Sequence, residues 1–178
     1  MSEDKNIKIA RLIGLEKKTR EAKTQDELNF VVANETRQII NFVNSFLLLK
    51  APTDKFQVKA SSDLATVDRT SPLIVFIENI INDSGQSFKE TQNIEVEKIS
   101  KKIKVKKPKN IPDNILCVPI VSPQKGLQGY LILCRNEKFV ENEIELSRHF
   151  SVTFGHAFNS FLSDFSLKNF LKKYLFGS

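Results

Sequence analysis

The sequence has too few cysteines for a covalent framework and no apolar run long enough to cross a membrane. Cys117 and Cys134 are its only cysteines, and no Cys-x-x-Cys pair occurs. Small disulfide-stabilised folds and structural zinc sites need more cysteines at closer spacing, which argues against both classes. His149 and His156 have no further ligand residues beside them, so no metal site is predicted. No apolar run approaches the roughly 18 residues of a membrane span.

Catalytic motifs and a secretion signal are also missing. The sequence contains no Gly-x-Ser-x-Gly turn, no phosphate-binding P-loop and no dinucleotide-binding glycine pattern. Asp63, Asp68 and Glu78 do not form a recognisable acid–base pair. The first residues alternate charged and apolar side chains, unlike a signal peptide. We therefore predict that the protein has no catalytic residues and is cytoplasmic. The sequence leaves its cofactor unknown.

One segment contains no acidic residue and accounts for the net charge of +6. Lys98–Lys109, with the sequence KISKKIKVKKPK, holds seven lysines, and the rest of the chain carries 20 basic and 21 acidic residues. The segment lacks the interleaved aromatics that stack on bases, which argues against nucleic-acid binding. We interpret it as a solvated loop, or else as a contact for anions or a partner, and membrane contact is expected only if a longer chain tethers the protein. The candidate contacts are Lys101, Lys102, Lys104, Lys106 and Lys107.

Helical periodicity predicts long helices near both ends of the chain. Asn6–Lys23 reads as an exposed amphipathic helix, and Thr24 with Glu27 has the spacing of a capping box that begins a second helix, periodic to Ile40. A long helix is predicted from Val140 to about Phe165. One of its faces carries an aromatic stripe, formed by Phe150, Phe154, Phe158, Phe161 and Phe165.

The middle of the chain predicts two hairpins separated by a short helix. Asn44–Pro52 and Lys55–Ser61 form the first hairpin, Ser71–Asp83 the helix, and Ile115–Val121 with Gln128–Arg135 the second hairpin. The segment QSFKET is a candidate strand, and a further strand is expected near Ile103 and Val105. This order predicts an α+β fold, with a central antiparallel sheet, helices packed on one face and long terminal helices.

Four segments carry a resemblance to a known family: SPLIVFIENIINDSGQSF, ILCVPIV, GLQGYLILCR and KFVENEIELSRHFSVTFGHAF. They resemble GAF domains, and the similarity covers most of Thr24–Phe161. It implies a PAS-like sheet with helices against one face and a ligand cavity on the other. The implied organisation is an N-terminal helix at 1–23, a GAF-like domain at 24–161 and a helical extension at 162–178, a candidate link to a further domain or a membrane segment.

The resemblance implies a non-enzymatic regulatory module, part of a larger signalling or transport protein, that binds a small ligand or a partner and signals through its terminal helices. We expect a homodimer through those helices. A thiol enzyme similar to free methionine sulfoxide reductase and a purely structural dimerisation module are the alternatives. The ligand-pocket candidates are Phe46, Leu48, Phe56, Phe76, Val118 and Leu131.

Cyclic-nucleotide binding is not expected from the residues that follow the last strand. Family members with that activity carry an Asn-Lys pair, a later Phe and then an Asp-Glu pair. Here Arg135 and Asn136 stand in reversed order, Phe139 is present, and Glu143 is followed by Ile144.

The two cysteines are predicted to be scaffold. With Cys117 opposite Ile132, its side chain lies diagonal to Cys134 on one face of the sheet, about 7–8 Å away. Mid-strand cysteines among Leu, Val and Ile are expected to be buried and inert. Gly129 and Pro119 predict a close approach or an irregularity in this hairpin.

Overall fold

The α+β class is confirmed, with a five-stranded antiparallel sheet in the order β2-β1-β5-β4-β3. The computed structural model describes residues 2–62 and 64–175, with all of their side chains except those at 2–3 and 162–170. The strands are β1 Asn44–Lys50, β2 Phe56–Ser61, β3 Gln92–Glu95, β4 Asn114–Ser122 and β5 Gly126–Arg135. The helices are α1 Ser2–Glu21, α2 Gln25–Glu35, α3 Pro72–Asp83, α4 Val96–Ser100 and α5 Glu141–Leu175. Asp63, the Phe165 side chain and 176–178 lie outside the described residues.

Helix α2 begins with the predicted capping box but ends earlier than its periodicity suggests. The Thr24 hydroxyl accepts a hydrogen bond from Glu27 N at 3.1 Å, and the Glu27 carboxylate accepts one from Lys23 N at 2.7 Å. The helix then tightens into a 3-10 turn at Thr36–Gln38. Thr36 donates its hydroxyl to Val32 O at 2.8 Å, which competes with regular continuation. Ile40 is buried, but it lies in the loop after this turn and not in α2.

Two separate apolar layers share the sheet, because side chains alternate between the faces of each strand. On one face, which we call the helical face, α2 and α5 pack against the sheet and α1 packs on those two helices, and Phe150, Phe154 and Phe158 are buried there. On the opposite face, the α3 face, α3 and α4 pack against Cys117 and Ile132. The expectation that the helices pack on one face thus holds for α1, α2 and α5 but not for α3 and α4.

The segment between α3 and β4 contains the least accurate predictions. Neither 86–91 nor the region of Ile103 and Val105 forms a strand; the strand is β3, and α4 follows it directly. Ile103 and Val105 pack against the α3-face layer, while Lys104 between them is exposed. The alternation of apolar residues and lysines therefore comes from an irregular segment that lies along an apolar surface. A strand here would have needed a second strand to pair with.

The β4–β5 hairpin has the predicted register in its centre. Cys117 pairs with Ile132, and the register shifts between Ile120 and Val121, so that Val121 opposes Leu127. A β-carbon on Gly129 would lie 2.1 Å from Leu48 O, so the expected close approach is present. Only glycine fits at this point of the pairing between β5 and β1, because a β-carbon would meet the backbone of Leu48.

The last helix is continuous from Glu141 to Leu175, beyond the predicted end near Phe165. Its first half is held to the sheet by the aromatic stripe, in which Phe150 and Phe154 stack with ring centroids 5.6 Å apart. Gly155 lies where a β-carbon would be 2.1 Å from Val121 O, so α5 touches the backbone of β4. Among the described residues, no helix has the length and apolarity needed to cross a membrane.

Candidate functional site

Four of the six pocket candidates lie together on the α3 face. Phe46, Leu48 and Phe76 are buried there, and Phe56 packs against them at half burial. Val118 and Leu131 pair with each other and lie on the helical face, among the aromatic side chains of α5. The structure therefore separates these two residues from the other four. Strand alternation carried this signal, because Val118 follows Cys117 directly in β4.

Aromatic and aliphatic side chains fill the space between α3 and the sheet. Phe46 and Phe76 are fully buried. Tyr130 packs edge-on against Phe56, with ring centroids 5.0 Å apart, and against Phe88 at 6.3 Å. Burial, with a smaller contribution from Cys117, raises the pKa of Tyr130 to about 12. The space between α3 and the sheet is therefore filled mainly by apolar side chains.

Both cysteines lie in this layer and are free thiols. Cys117 and Cys134 are fully buried on the same face of the hairpin, as predicted. Burial raises the pKa of each thiol well above its ordinary value. Since the thiolate is the nucleophile, this environment does not activate either sulfur.

Polar side chains of α3 fasten it to the open edge of β2. The Asn82 amide donates to Phe56 O at 2.9 Å and accepts from Phe56 N at 3.0 Å, as a neighbouring strand would. Four residues earlier, Glu78 accepts from Val58 N at 3.0 Å. Arg69 binds both oxygens of Glu78, at 2.8 and 3.1 Å. We call Glu78 and Asn82 the α3 clamp, since they hold the helix over the apolar layer.

Arg135 connects the end of β5 to the start of α5. Its guanidinium binds both oxygens of Glu143, at 2.5 and 2.7 Å, and lies 4.0 Å from the centroid of the Phe139 ring. It also donates to Asn41 O at 3.1 Å, before β1. Burial raises the pKa of Glu143, but the hydrogen bonds from Arg135 and Val140 N lower it more, and the pKa stays below its ordinary value. The residues that replace the cyclic-nucleotide pattern thus form a joint between sheet and helix.

The candidate lysine contacts lie on the outer side of the segment that crosses the α3 face. Lys107 binds Glu97 at 2.9 Å, and Lys102 donates to Gln86 Oε1 at 3.3 Å. The hydrogen bond and charge of Lys107, with a smaller effect from Lys101, hold the pKa of Glu97 below its ordinary value. Among the described residues, no hydrogen bond or ion pair engages Lys104 or Lys106. All five are exposed.

Neither a family model nor a curated protein sequence matches the chain. Solved structures do match it along most of its length. The GAF domain of a protein described as a sensor histidine kinase from Pseudomonas syringae pv. tomato is 14% identical, with a TM-score of 0.61 over 94% of this chain and 96% of that one. The chain has a GAF-like fold.

Two further GAF domains agree with this assignment. The one from Acinetobacter phosphoenolpyruvate-protein phosphotransferase is 13% identical, with a TM-score of 0.62 over 85% of this chain and 92% of that one. GAF-B of DevS from Mycobacterium smegmatis is 12% identical, with a TM-score of 0.58 over 80% and 99% of the two chains. At these identities the likeness establishes the fold and leaves ligand and activity open.

Sequence reasoning missed the α3 clamp of this GAF-like fold. Glu78 was considered only as a catalytic carboxylate, and Asn82 was not singled out. Their spacing of four residues places both on the same side of α3. Two polar side chains four residues apart in a largely apolar helix were the available signal, but their partners are backbone groups, which no residue pattern reveals.

Proposed function

We propose that the chain is a non-enzymatic, cytoplasmic regulatory module that binds a small apolar ligand beneath α3 and passes the change to its terminal helices. The observation that supports this most is the shared sheet between two apolar layers. Within β4, Cys117 faces the α3 layer while its neighbours Leu116 and Val118 face the helical layer. A ligand that displaces side chains on one face must therefore move strands that carry the packing surface of α5.

The ligand enters by local opening of α3, because the layer beneath that helix is filled. The α3 clamp consists of side-chain hydrogen bonds, each contributing about 1 kcal/mol net. These bonds can break without unfolding the strands. The Arg135–Glu143 joint then couples movement of β5 to the start of α5.

A thermal-shift screen of metabolites tests ligand binding. A compound that binds only the native state must raise the melting temperature. Methyl NMR of the same samples assigns the face: we expect the largest shifts at Ile77 and Ile132 on the α3 face, and smaller shifts at Ile120 on the helical face. If no compound raises the melting temperature, ligand binding is contradicted and a structural dimerisation module is favoured. If the largest shifts lie at Ile120, binding beneath α3 is contradicted.

We also propose a homodimer through the terminal helices. Ile9 and Ile13 on α1, Phe30 on α2 and Val152 on α5 are about half exposed, although each is apolar. Beside Phe30, a groove of about 440 Å³ runs between α1 and α2. Exposed apolar surface of this kind favours association.

Light scattering at several concentrations measures the oligomeric state. We expect a dimer that dissociates when Ile13 is changed to Glu, and no change for the control Leu64→Glu, since Leu64 is similarly exposed but belongs to the loop between β2 and α3. A monomer at high concentration contradicts the dimer and leaves the ligand hypothesis standing.

Thiol titration tests the alternative of a GAF-type thiol enzyme. The buried positions of Cys117 and Cys134 support slow reaction with a thiol reagent in the native state and fast reaction in denaturant. Two fast-reacting thiols in the native protein would favour the enzyme over a non-enzymatic module.

A further inference from the structure

The two edge strands of the sheet, β2 and β3, differ in whether side chains bond to their outer backbone groups. The outer edge of β2 is occupied, because the α3 clamp satisfies the backbone of Phe56 and Val58. Among the described residues, no side chain forms such hydrogen bonds with the outer edge of β3. Unpaired strand edges are templates for pairing with another strand, and proteins usually block them.

The outward backbone groups of β3 follow from its register. Val96 N donates to Asp113 O, so in this antiparallel pair Ile94 and Gln92 also point their backbone groups towards β4. The N–H and C=O of Asn93 and the N–H of Glu95 consequently point away from the sheet. Within the part of the chain that the structure describes, no hydrogen bond engages these three groups.

A basic groove runs along this edge. It has a volume of about 230 Å³, and its lining includes Asn93, Glu95, Lys98 and Lys102. Lys98 binds Glu95 at 2.9 Å, but its side chain is 77% exposed, so a carboxylate from a partner can compete for it. The apolar floor is Ile94 and Ile99.

We propose that the β3 edge is a docking site for an extended, acidic peptide segment of a partner protein. The segment adds as a sixth strand, exchanging two hydrogen bonds with Asn93 and accepting one from Glu95 N. Alternate carboxylates of the segment reach Lys98 and Lys102, while the side chains between them cover Ile94. The neighbouring lysines of the segment Lys98–Lys109 raise the association rate by attracting negative charge. This site is independent of the ligand proposed beneath α3.

The test uses the full chain and a fluorescein-labelled, capped ten-residue peptide of alternating Val and Glu, followed by fluorescence anisotropy. Glu95→Pro removes the outward N–H at a residue whose φ of −79° already suits proline. The matched Glu95→Ala keeps the N–H and removes the competing carboxylate. We expect Glu95→Pro to weaken binding about fivefold, the worth of one hydrogen bond, and Glu95→Ala not to weaken it.

Two further arms keep the test decisive if Glu95→Pro folds poorly. A Val-Glu peptide with alternate backbone nitrogens methylated retains every carboxylate but cannot extend the ladder, so we expect it not to bind. Reversal of charge at Lys98 and Lys102 must abolish binding, while reversal at Lys104 and Lys106, outside the groove, must weaken it less.

Three results would overturn the proposal. The first is that the Val-Glu peptide does not bind at a concentration of about 1 mM, which is high enough to occupy even a weak site. The second is equal binding of the methylated and unmethylated peptides, which assigns the lysines to a sequence-independent polyanion surface. The third is binding to vesicles of phosphatidylcholine with phosphatidylserine in the absence of peptide binding, which assigns them to a membrane.

Discussion

The two faces of the sheet carry equally buried side chains but are closed by different means. On the helical face, α5 places Phe150, Phe154 and Phe158 in the core and touches β4 at Gly155. On the α3 face, a helix of 12 residues and irregular segments cover the layer, and α3 is fastened by the side-chain bonds of its clamp. Packing of a long regular helix resists local opening, whereas a short element held by a few polar contacts opens more easily.

This difference assigns a role to each face. Under the function proposed above, the α3 face changes when a ligand binds, and the helical face carries that change to the terminal helices. Three substitutions can break or sharpen the comparison.

The largest effect is expected from the aromatic stripe on the helical face. Phe154→Ala leaves a cavity in a fully buried position and should lower the free energy of unfolding by about 3–5 kcal/mol, measured by urea denaturation. Leu64→Ala is the control, since Leu64 is 54% exposed, is not part of the proposed dimer surface and should change stability by less than about 0.5 kcal/mol. Similar losses at the two positions would show that the stripe does not anchor α5.

An intermediate effect is expected where α5 meets β4. Gly155→Ala places a methyl group against Val121 O and should destabilise the protein by about 2 kcal/mol through overpacking. Gly14→Ala in α1 has open space and should stabilise it by about 0.5–1 kcal/mol. Thermal denaturation of both variants checks the opposite signs. Two stabilised variants would contradict the close contact of α5 with the sheet.

The smallest effect is expected at the joint of sheet and helix. The pKa of Glu143 is lowered in the folded state, so its ionised form contributes stability above the ordinary value of 4.5, and the contribution is lost as pH falls through the lowered pKa. Glu143→Gln should cost about 1 kcal/mol at pH 7 and flatten the loss of stability below pH 4.5. Urea denaturation between pH 3 and 7 measures both.

Glu145→Gln is the control for this prediction, because Glu145 lies on the same helix with 62% of its side chain exposed. We expect a change of a few tenths of a kcal/mol at most. An unchanged pH profile for Glu143→Gln would show that the Arg135–Glu143 pair does not stabilise the joint.

Local sequence signals predicted much of this fold. The capping box at Thr24, the hairpin register around Cys117 and the close approach at Gly129 are all confirmed, because each depends on neighbouring residues or strict alternation. The strands predicted between α3 and β4 were wrong for a physical reason. An irregular segment packed on an apolar layer has the same alternating pattern as a strand.

The candidate site was only partly predictable. Phe46, Leu48, Phe56 and Phe76 share one layer, whereas Val118 and Leu131 belong to the other, and apolarity alone does not distinguish the two faces of a strand buried on both sides. The α3 clamp and the open β3 edge depend on backbone groups distant in sequence. Such contacts can be identified only from the tertiary structure.

Hydrogen–deuterium exchange of the native protein tests the central comparison most directly. Amides of Ile77–Ile81 in α3 should exchange through local opening, at a lower free energy than those of Phe150–Phe158 in α5, and Asn82→Ala should accelerate only the first group. Equal protection of the two helices, or faster exchange in α5, would contradict the assignment of the α3 face as the side that opens.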